Sequence, residues 1–512
     1  MMSKSYKPDN ARLARNTLLL YFRMALMMCI NLYTSRIVLD TLGVEDYGIF
    51  NVVGGVIVMF SFLTDSMTAS TQRFLSFELG SGNKEKLHAV FVTSIHIHLI
   101  ISLVIIILGE TIGLWFLMEK MVIPPERMIA AHWVYQFSIF MAVLNVLSYP
   151  YISAIIAHEK MKSFAYIAIM DAILKLLLVY LLLAFDFDRL IFYAALYATE
   201  KFLIRSIYNF YCVRNFEECK YKWIYQKALF KEMALFAVWK LWGCLAFVFY
   251  THGLNLLLNV FFGPLVNAAR AAAYHGYDAV SKFAMNFQTA INPQITKTYA
   301  SGQLKETHKL IYKSVRLTFC MLLILCLPLI VEAPAILGLW LVEVPEGTAI
   351  FLRLLLVILM IQQSSNALVT AVAATGKIKR YEISLGTLML AIVPISYIVL
   401  RLGGAPWSVF VVFLAVVIIA FFLILYIVLP IIKLRLRDYL RYAIGRCIAV
   451  LMFSLIVPFA MQLIKEESLL FSFLNIAAIV ISTIVIAYFF GTDREERRAV
   501  ANKVNSMISK LK

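Results

Sequence analysis

The chain has 512 residues, of which 62% are hydrophobic and only 15% charged. Soluble globular chains carry about 25% charged residues, so a water-soluble enzyme is excluded. The net charge of +17 is scattered loop by loop rather than gathered into one basic domain, which excludes nucleic acid as the partner.

Apolar runs of the roughly 20 residues that span a bilayer recur about fourteen times. The predicted helices cover 15–40, 46–70, 87–116, 128–157, 163–185, 189–213 and 230–262. They continue over 265–296, 306–332, 347–375, 380–402, 405–430, 439–463 and 468–490. Glycine, proline and charge signals set the breaks, among them Ile123-Pro124-Pro125, Gly263-Pro264 and Gly403-Gly404. Lys4, Lys7, Arg12 and Arg15 precede the first run like the charged region of a signal peptide. That run is too long and lacks a small-residue cleavage site, so it reads as an uncleaved first helix.

Orientation follows from the loops. One alternating set is basic (Lys84/Lys86, Lys160/Lys162, Lys220/Lys222/Lys227, Lys377/Lys379/Arg380) and the other acidic (Asp40/Glu45/Asp46, Asp186/Asp188, Glu343/Glu346, Glu466/Glu467). The basic set is expected to face the cytoplasm, together with both termini. The seven cysteines show no CxxC spacing, so they are expected to act as small buried hydrophobes rather than disulfides or zinc ligands.

An internal repeat runs through the chain. Gly43 precedes Gly263 by 220 residues, Ser81-Gly82 precedes Ser301-Gly302 by the same interval, and so does His88 before His308. Gly113-Leu114-Trp115 also matches Gly338-Leu339-Trp340 in order. Units of six helices share one orientation, and parallel repeats are a transporter architecture with the substrate site at their interface. The expected fold is therefore an all-α polytopic membrane protein with about 14 transmembrane helices, in two six-helix lobes plus two C-terminal helices. The lobes are 1–213 and 229–430, joined by a cytoplasmic linker at 214–228 and followed by two extra helices at 431–490. A basic tail at 491–512 has Val500, Val504, Met507, Ile508 and Leu511 at helical spacing, which suits a surface amphipathic helix or a solvated tail.

No soluble-enzyme motif is present: Gly80–Lys84 is too short for a phosphate loop, and GxSxG and HExxH are absent. The loops leave no room for a nucleotide-binding domain. What remains is charge at membrane depth, which is costly and usually faces a protein interior or a water-filled path. Arg23 lies in the first run, Lys240 in the seventh, and Arg270, Tyr274, Asp278 and Lys282 recur every four residues along one face of the eighth. Arg23, Lys240, Arg270 and Lys282, with Arg205 as an extension, form a ladder of cations that suits a phosphate or pyrophosphate headgroup. Asp65 and Asp278 are candidates for ion coupling or charge balance. Bland readings stand beside these. Arg36/Asp40 and Asp171/Lys175 are i,i+4 pairs, Glu200/Lys201/Arg205 can neutralise itself within its lobe, Asp278 can pair with Lys282, and Arg316 and Arg353 can snorkel.

Leu42-Gly43-Val44-Glu45-Asp46-Tyr47-Gly48-Ile49-Phe50, the basic Ser81–Lys86 loop, Phe262-Gly263-Pro264, Ser301-Gly302 and the Gly376-Lys377-Ile378-Lys379 turn carry a resemblance over essentially the whole chain. The sequence resembles the polysaccharide (O-antigen type, Wzx-like) flippases of the multidrug/oligosaccharidyl-lipid/polysaccharide exporter superfamily. The resemblance implies an inner-membrane protein without enzymatic activity that flips undecaprenyl-pyrophosphate-linked oligosaccharides for surface polysaccharide synthesis. It also implies a cationic central cavity, alternating access driven by Na+, H+ or the membrane potential, no organic cofactor, and the polysaccharide polymerase machinery as a partner beside membrane lipids. An ion-coupled multidrug antiporter and a lipid II flippase are the related alternatives.

Overall fold

The structure is a computed structural model that describes residues 10–58, 61–119, 121, 123–184, 187–341, 343–462, 468–493 and 496–497. Lys4, Lys7, Asp186, Glu466, Glu467 and the tail pattern from Val500 to Leu511 lie outside the described residues, as does the side chain of Asp65.

Among the described residues every regular element is a helix. In chain order these are α1 (Asn10–Val58), α2 (Ser61–Ser81), α3 (Lys84–Leu108), α4 (Leu114–Glu119), α5 (Met128–Ala157), α6 (Met161–Leu183) and α7 (Arg189–Asn215). Then come α8 (Lys227–Phe262), α9 (Pro264–Ala300), α10 (Leu304–Val331), α11 (Ala333–Trp340), α12 (Thr348–Thr375), α13 (Lys379–Leu390) and α14 (Ile392–Arg401). The chain closes with α15 (Ser408–Ile431), α16 (Leu436–Tyr439), α17 (Gly445–Ser454), α18 (Ile456–Gln462) and α19 (Leu469–Ile486).

Among the described residues eleven helical segments are long and apolar enough to cross a membrane. Large side chains such as Leu99, Ile100, Leu103 and Ile107 on α3 stand exposed on their flanks. A surface of that kind is stable against lipid and not against water. The chain is a multi-pass membrane protein. The long helices α2, α7 and α9 fall outside the eleven because charges such as Glu200, Lys201 and Arg205, or Arg270, Asp278 and Lys282, interrupt them.

Two compact units are present. The first is Met1–Cys244 with Thr296–Gly302, and the second is Leu245–Ile295 with Gln303–Lys512. Positions 220 residues apart share an unusual backbone: Gly43 and Gly263 have φ of 79° and 78°, and Gly82 and Gly302 have 76° and 75°. Glycine reaches this left-handed region without the Cβ penalty. His88 meets the carbonyl of Glu218 at 2.9 Å, and His308 meets that of Ile432 at 3.0 Å.

In the first unit Ile49, Val53, Val134, Tyr135 and Leu190 form one apolar core. Gly80 on α2 allows close packing against the last turn of α9, because a Cβ there would lie 2.6 Å from the Lys297 Cα and carbonyl oxygen. At one end of the unit Arg127 grips two acids. Its Nε and Nη2 donate to Asp46 at 2.8 and 2.5 Å, and its Nη1 donates to Asp188 at 2.7 Å. Asp188 also caps α7 by accepting from the Leu190 and Ile191 N–H groups at 3.1 and 3.2 Å. The expected Arg36–Asp40 pair does not form: both residues are exposed, and among the described residues no ion pair joins them.

The clasp is pH-sensitive in a defined direction. Burial alone would raise the Asp188 carboxyl, but hydrogen bonds from Arg127 and α7, with the guanidinium charge, hold it below the usual aspartate range. A depressed acid contributes stability above its unfolded pKa and loses it as pH falls through its folded value. The melting temperature of Asp188→Asn is therefore expected to lie below that of the native chain at neutral pH. The gap is expected to close in strong acid, as read from melting curves across pH.

The second unit is built on a core that includes Leu254, Leu258, Ala273, Leu355, Leu359 and Phe410. Arg316 does not snorkel from it. Its side chain is 4% exposed and ion-paired with Asp493 at 2.5 Å and Glu496 at 3.4 Å, because a guanidinium this deep needs carboxylates rather than water. Arg353 likewise turns inward, donating to the carbonyls of Ile330 and Val331 at 2.8 and 3.4 Å. Those groups end α10, where the helix dipole favours a cation.

Candidate functional site

The first unit holds a four-residue charge cluster at membrane depth. Asp171 and Lys175 lie one turn apart on α6, and their charges meet at 3.0 Å. Lys201 on α7 reaches the other Asp171 oxygen at 3.1 Å. The Lys201 ammonium is also 3.2 Å from Glu200, whose carboxylate is fully shielded and makes no hydrogen bond of good geometry. The two intrahelical pairs expected from sequence are thus one cross-helix cluster. Both ammonium groups are also near the Tyr197 ring, at 5.9 and 5.2 Å from its centroid.

A cavity of about 190 Å³ opens beside this cluster, lined by Asn31, Thr34, Tyr47, Lys175, Tyr193 and Tyr197 among others. Drug-sized ligands occupy pockets of about 300–1,000 Å³, so this space accepts an ion with its hydration or one headgroup rather than a whole drug. Its walls are aromatic: Tyr193 and Tyr197 stack in parallel at 6.1 Å, and Phe50 packs on Tyr193 at 4.8 Å. The Thr34 hydroxyl is buried there without a hydrogen-bond partner.

Two predicted cations adjoin the cluster. Arg23 on α1 is half-buried, lies 4.5 Å over the Phe164 ring and interacts with Tyr208. The buried Tyr208 lies within electrostatic range of Asp171 and Lys201 as well as Arg23. Arg205 on α7 is half-buried beside Tyr151, and its Nη1 is shielded from solvent without a hydrogen-bond partner. A buried guanidinium nitrogen in that state is costly unless an anion or water satisfies it. Lys240, half-buried on α8, belongs to the same unit.

Asp65 on α2 belongs to the first unit, and the remaining predicted residues, Arg270, Asp278 and Lys282, lie in the second. Arg270 on α9 is 8% exposed. It donates to Asn255 Oδ1 at 3.1 Å and to the Thr251 carbonyl at 2.8 Å, and it stacks over Tyr274 at 4.2 Å. Asp278 and Lys282, further along α9, are both exposed. Among the described residues no ion pair joins them, so the i,i+4 pairing that sequence allowed does not form. Sequence reading missed Asp171, Lys175, Glu200 and Lys201 as site residues, although two charged i,i+4 or adjacent pairs on neighbouring apolar helices were a visible signal.

Solved structures that align with this all-helical membrane chain include transporters. An outward-facing multidrug resistance MATE family transporter of the MOP superfamily aligns with a TM-score of 0.72 at 14% identity, covering 82% of this chain and 95% of its own. The MATE transporter ClbM in complex with Rb+ aligns at 0.68 and 14% identity, over 86% of this chain and 98% of its own. A MOP superfamily transporter from Pyrococcus furiosus, with a binding pocket of reverse polarity that suggests a different function, aligns at 0.66 and 15% identity over 82% and 95%. No family model matches the sequence, and no curated protein matches it. The chain shares the MATE transporter fold.

Proposed function

We propose that this protein exports a polyprenyl-pyrophosphate-linked oligosaccharide across the bacterial cytoplasmic membrane by alternating access, without chemical conversion of its substrate. The observation that carries the reading is the charge balance inside the first unit. Arg23, Lys175, Lys201 and Arg205 outnumber Asp171 and Glu200 by two. The acid best placed to take an external cation, Asp171, already holds two ammonium groups at 3.0 and 3.1 Å. An interior of this polarity attracts a pyrophosphate, which guanidinium groups bind through paired hydrogen bonds. The polyprenyl tail remains in lipid while the headgroup moves along the cations. Both termini face the cytoplasm in this reading, and α2, α7 and α9 join the eleven apolar segments as spans, giving fourteen. A Na+ or H+ gradient or the membrane potential drives the cycle, and the polysaccharide polymerase machinery receives the product.

A second reading, ion-coupled cation or drug antiport, is favoured by the fold match to a multidrug resistance transporter. The two separate by mutation. Arg23→Ala combined with Arg205→Ala is expected to lower surface-glycan export at least tenfold at unchanged protein level, measured by labelling of cell-surface polysaccharide. Asp171→Asn abolishing cation-driven drug efflux, with export intact in the arginine variant, would favour the antiporter.

A further inference from the structure

The segment that joins α7 to α8 is rooted at one end and bare along the rest. Phe216 stacks flat on His158 with ring centroids 4.1 Å apart, Glu218 is ion-paired with His158, and Cys219 is buried. From Lys220 to Gln226 there is neither helix nor strand, and among the described residues no N–H from Tyr221 to Gln226 donates to a backbone carbonyl. Aromatic residues recur at every second position here, and the half-buried Ile224 interrupts the polar residues between them. Tyr221, Trp223 and Tyr225 are 50%, 75% and 59% exposed, and Lys220, Lys222 and Gln226, exposed too, fall at the positions between. Lys220 has extended backbone (φ −73°, ψ 108°), and in an extended run successive side chains point to opposite faces.

The depth of the segment is marked by α3. His96 Nε2 is 3.1 Å from the Tyr221 hydroxyl, and the His96 ring is 4.7 Å from that of Trp223. Before His96 the exposed face of α3 consists of Lys84, Glu85 and Lys86, and one turn after it the large exposed apolar residues begin at Leu99 and Ile100. The segment therefore lies where a polar surface gives way to a lipid-facing one. Lys227, at its far end, opens the membrane-spanning α8.

We infer that Lys220–Lys227 is a lipid-binding strip, with the three rings inserted at headgroup level and Lys220, Lys222 and Lys227 engaging the phosphates of anionic phospholipids. Tyrosine and tryptophan favour this zone because each has an apolar body and a polar tip. Three exposed lysines match an anionic bilayer surface, and the exposed acid that adjoins them in the segment, Glu217, is already 3.4 Å from Lys84. The inference does not depend on what the protein exports.

Hydrogen exchange of the full chain in nanodiscs tests it, because the amides of Tyr221–Gln226 gain protection only if something excludes water. Phosphatidylcholine discs are compared with discs containing phosphatidylglycerol. The peptide spanning this segment is expected to exchange at least fivefold more slowly with phosphatidylglycerol present. In Lys220→Gln/Lys222→Gln that lipid effect is expected to vanish while α3 and α8 peptides exchange as in the native chain. Equal exchange of the native segment in the two bilayers overturns the inference, and this comparison decides alone if the variant misfolds. Protection that appears only on adding a soluble host protein fraction also overturns it, in favour of a protein partner.

Discussion

Lys201→Met is expected to be the most damaging single change inside the first unit. Its ammonium serves Asp171 at 3.1 Å and Glu200 at 3.2 Å. Without it Asp171 keeps Lys175, but Glu200, with a fully buried side chain, loses the cation that neutralises it. Breaking a buried ion pair by removing one partner costs about 3–5 kcal/mol, whereas replacing both partners with apolar groups of similar volume is often neutral. Glu200→Leu/Lys201→Met is therefore expected to regain most of the loss. Melting in mild detergent by fluorescence-detected size exclusion reads both outcomes. Equal melting temperatures for the single and double variants would show that the cluster is solvated.

Glu159→Ala is expected to be nearly as severe. Glu159 turns the chain between α5 and α6 at φ 58°, and its side chain is fully buried. One oxygen accepts from Lys297 at 2.7 Å, the other lies 3.8 Å from Arg12, and its backbone carbonyl accepts from Asn16 at 3.3 Å. Alanine removes the carboxylate from a lysine that is only 7% exposed, again at a cost of about 3–5 kcal/mol. Relief of backbone strain cannot offset this: the left-handed turn costs about 1–2 kcal/mol, and alanine retains it. Glu159→Gln keeps a hydrogen-bond acceptor without the charge and is expected to fall between. Pairing Lys297→Met with Glu159→Leu, which replaces both partners with apolar groups of similar volume, is expected to regain most of the loss, as read from the same melting assay.

The local features of this chain were legible because their causes are local. The glycines at 43, 82, 263 and 302 were visible as repeat positions, and all four take the left-handed backbone that only glycine adopts cheaply. Asp171 with Lys175 was legible as an i,i+4 pair for the same reason. Its second partner was not, because Lys201 depends on how α6 and α7 are rotated against each other. Arg270 was visible as a charge in a long helical run, yet its anchors, Thr251 and Asn255, follow from how α8 packs against α9 beyond the Gly263-Pro264 break. Arg316 was misread as a snorkelling residue since Asp493 and Glu496 lie far along the chain and nothing near Arg316 in sequence announces them. Charge depth is a property of one helix and can be read from composition, whereas charge pairing belongs to the packing.

Native mass spectrometry of the protein, extracted gently from membranes of a glycan-producing bacterium, tests the central claim most directly. The expected result is a co-purifying polyprenyl-pyrophosphate glycan that is lost from the folded Arg23→Ala/Arg205→Ala variant. Folded protein free of any such glycolipid, and carrying an organic cation instead, would contradict it.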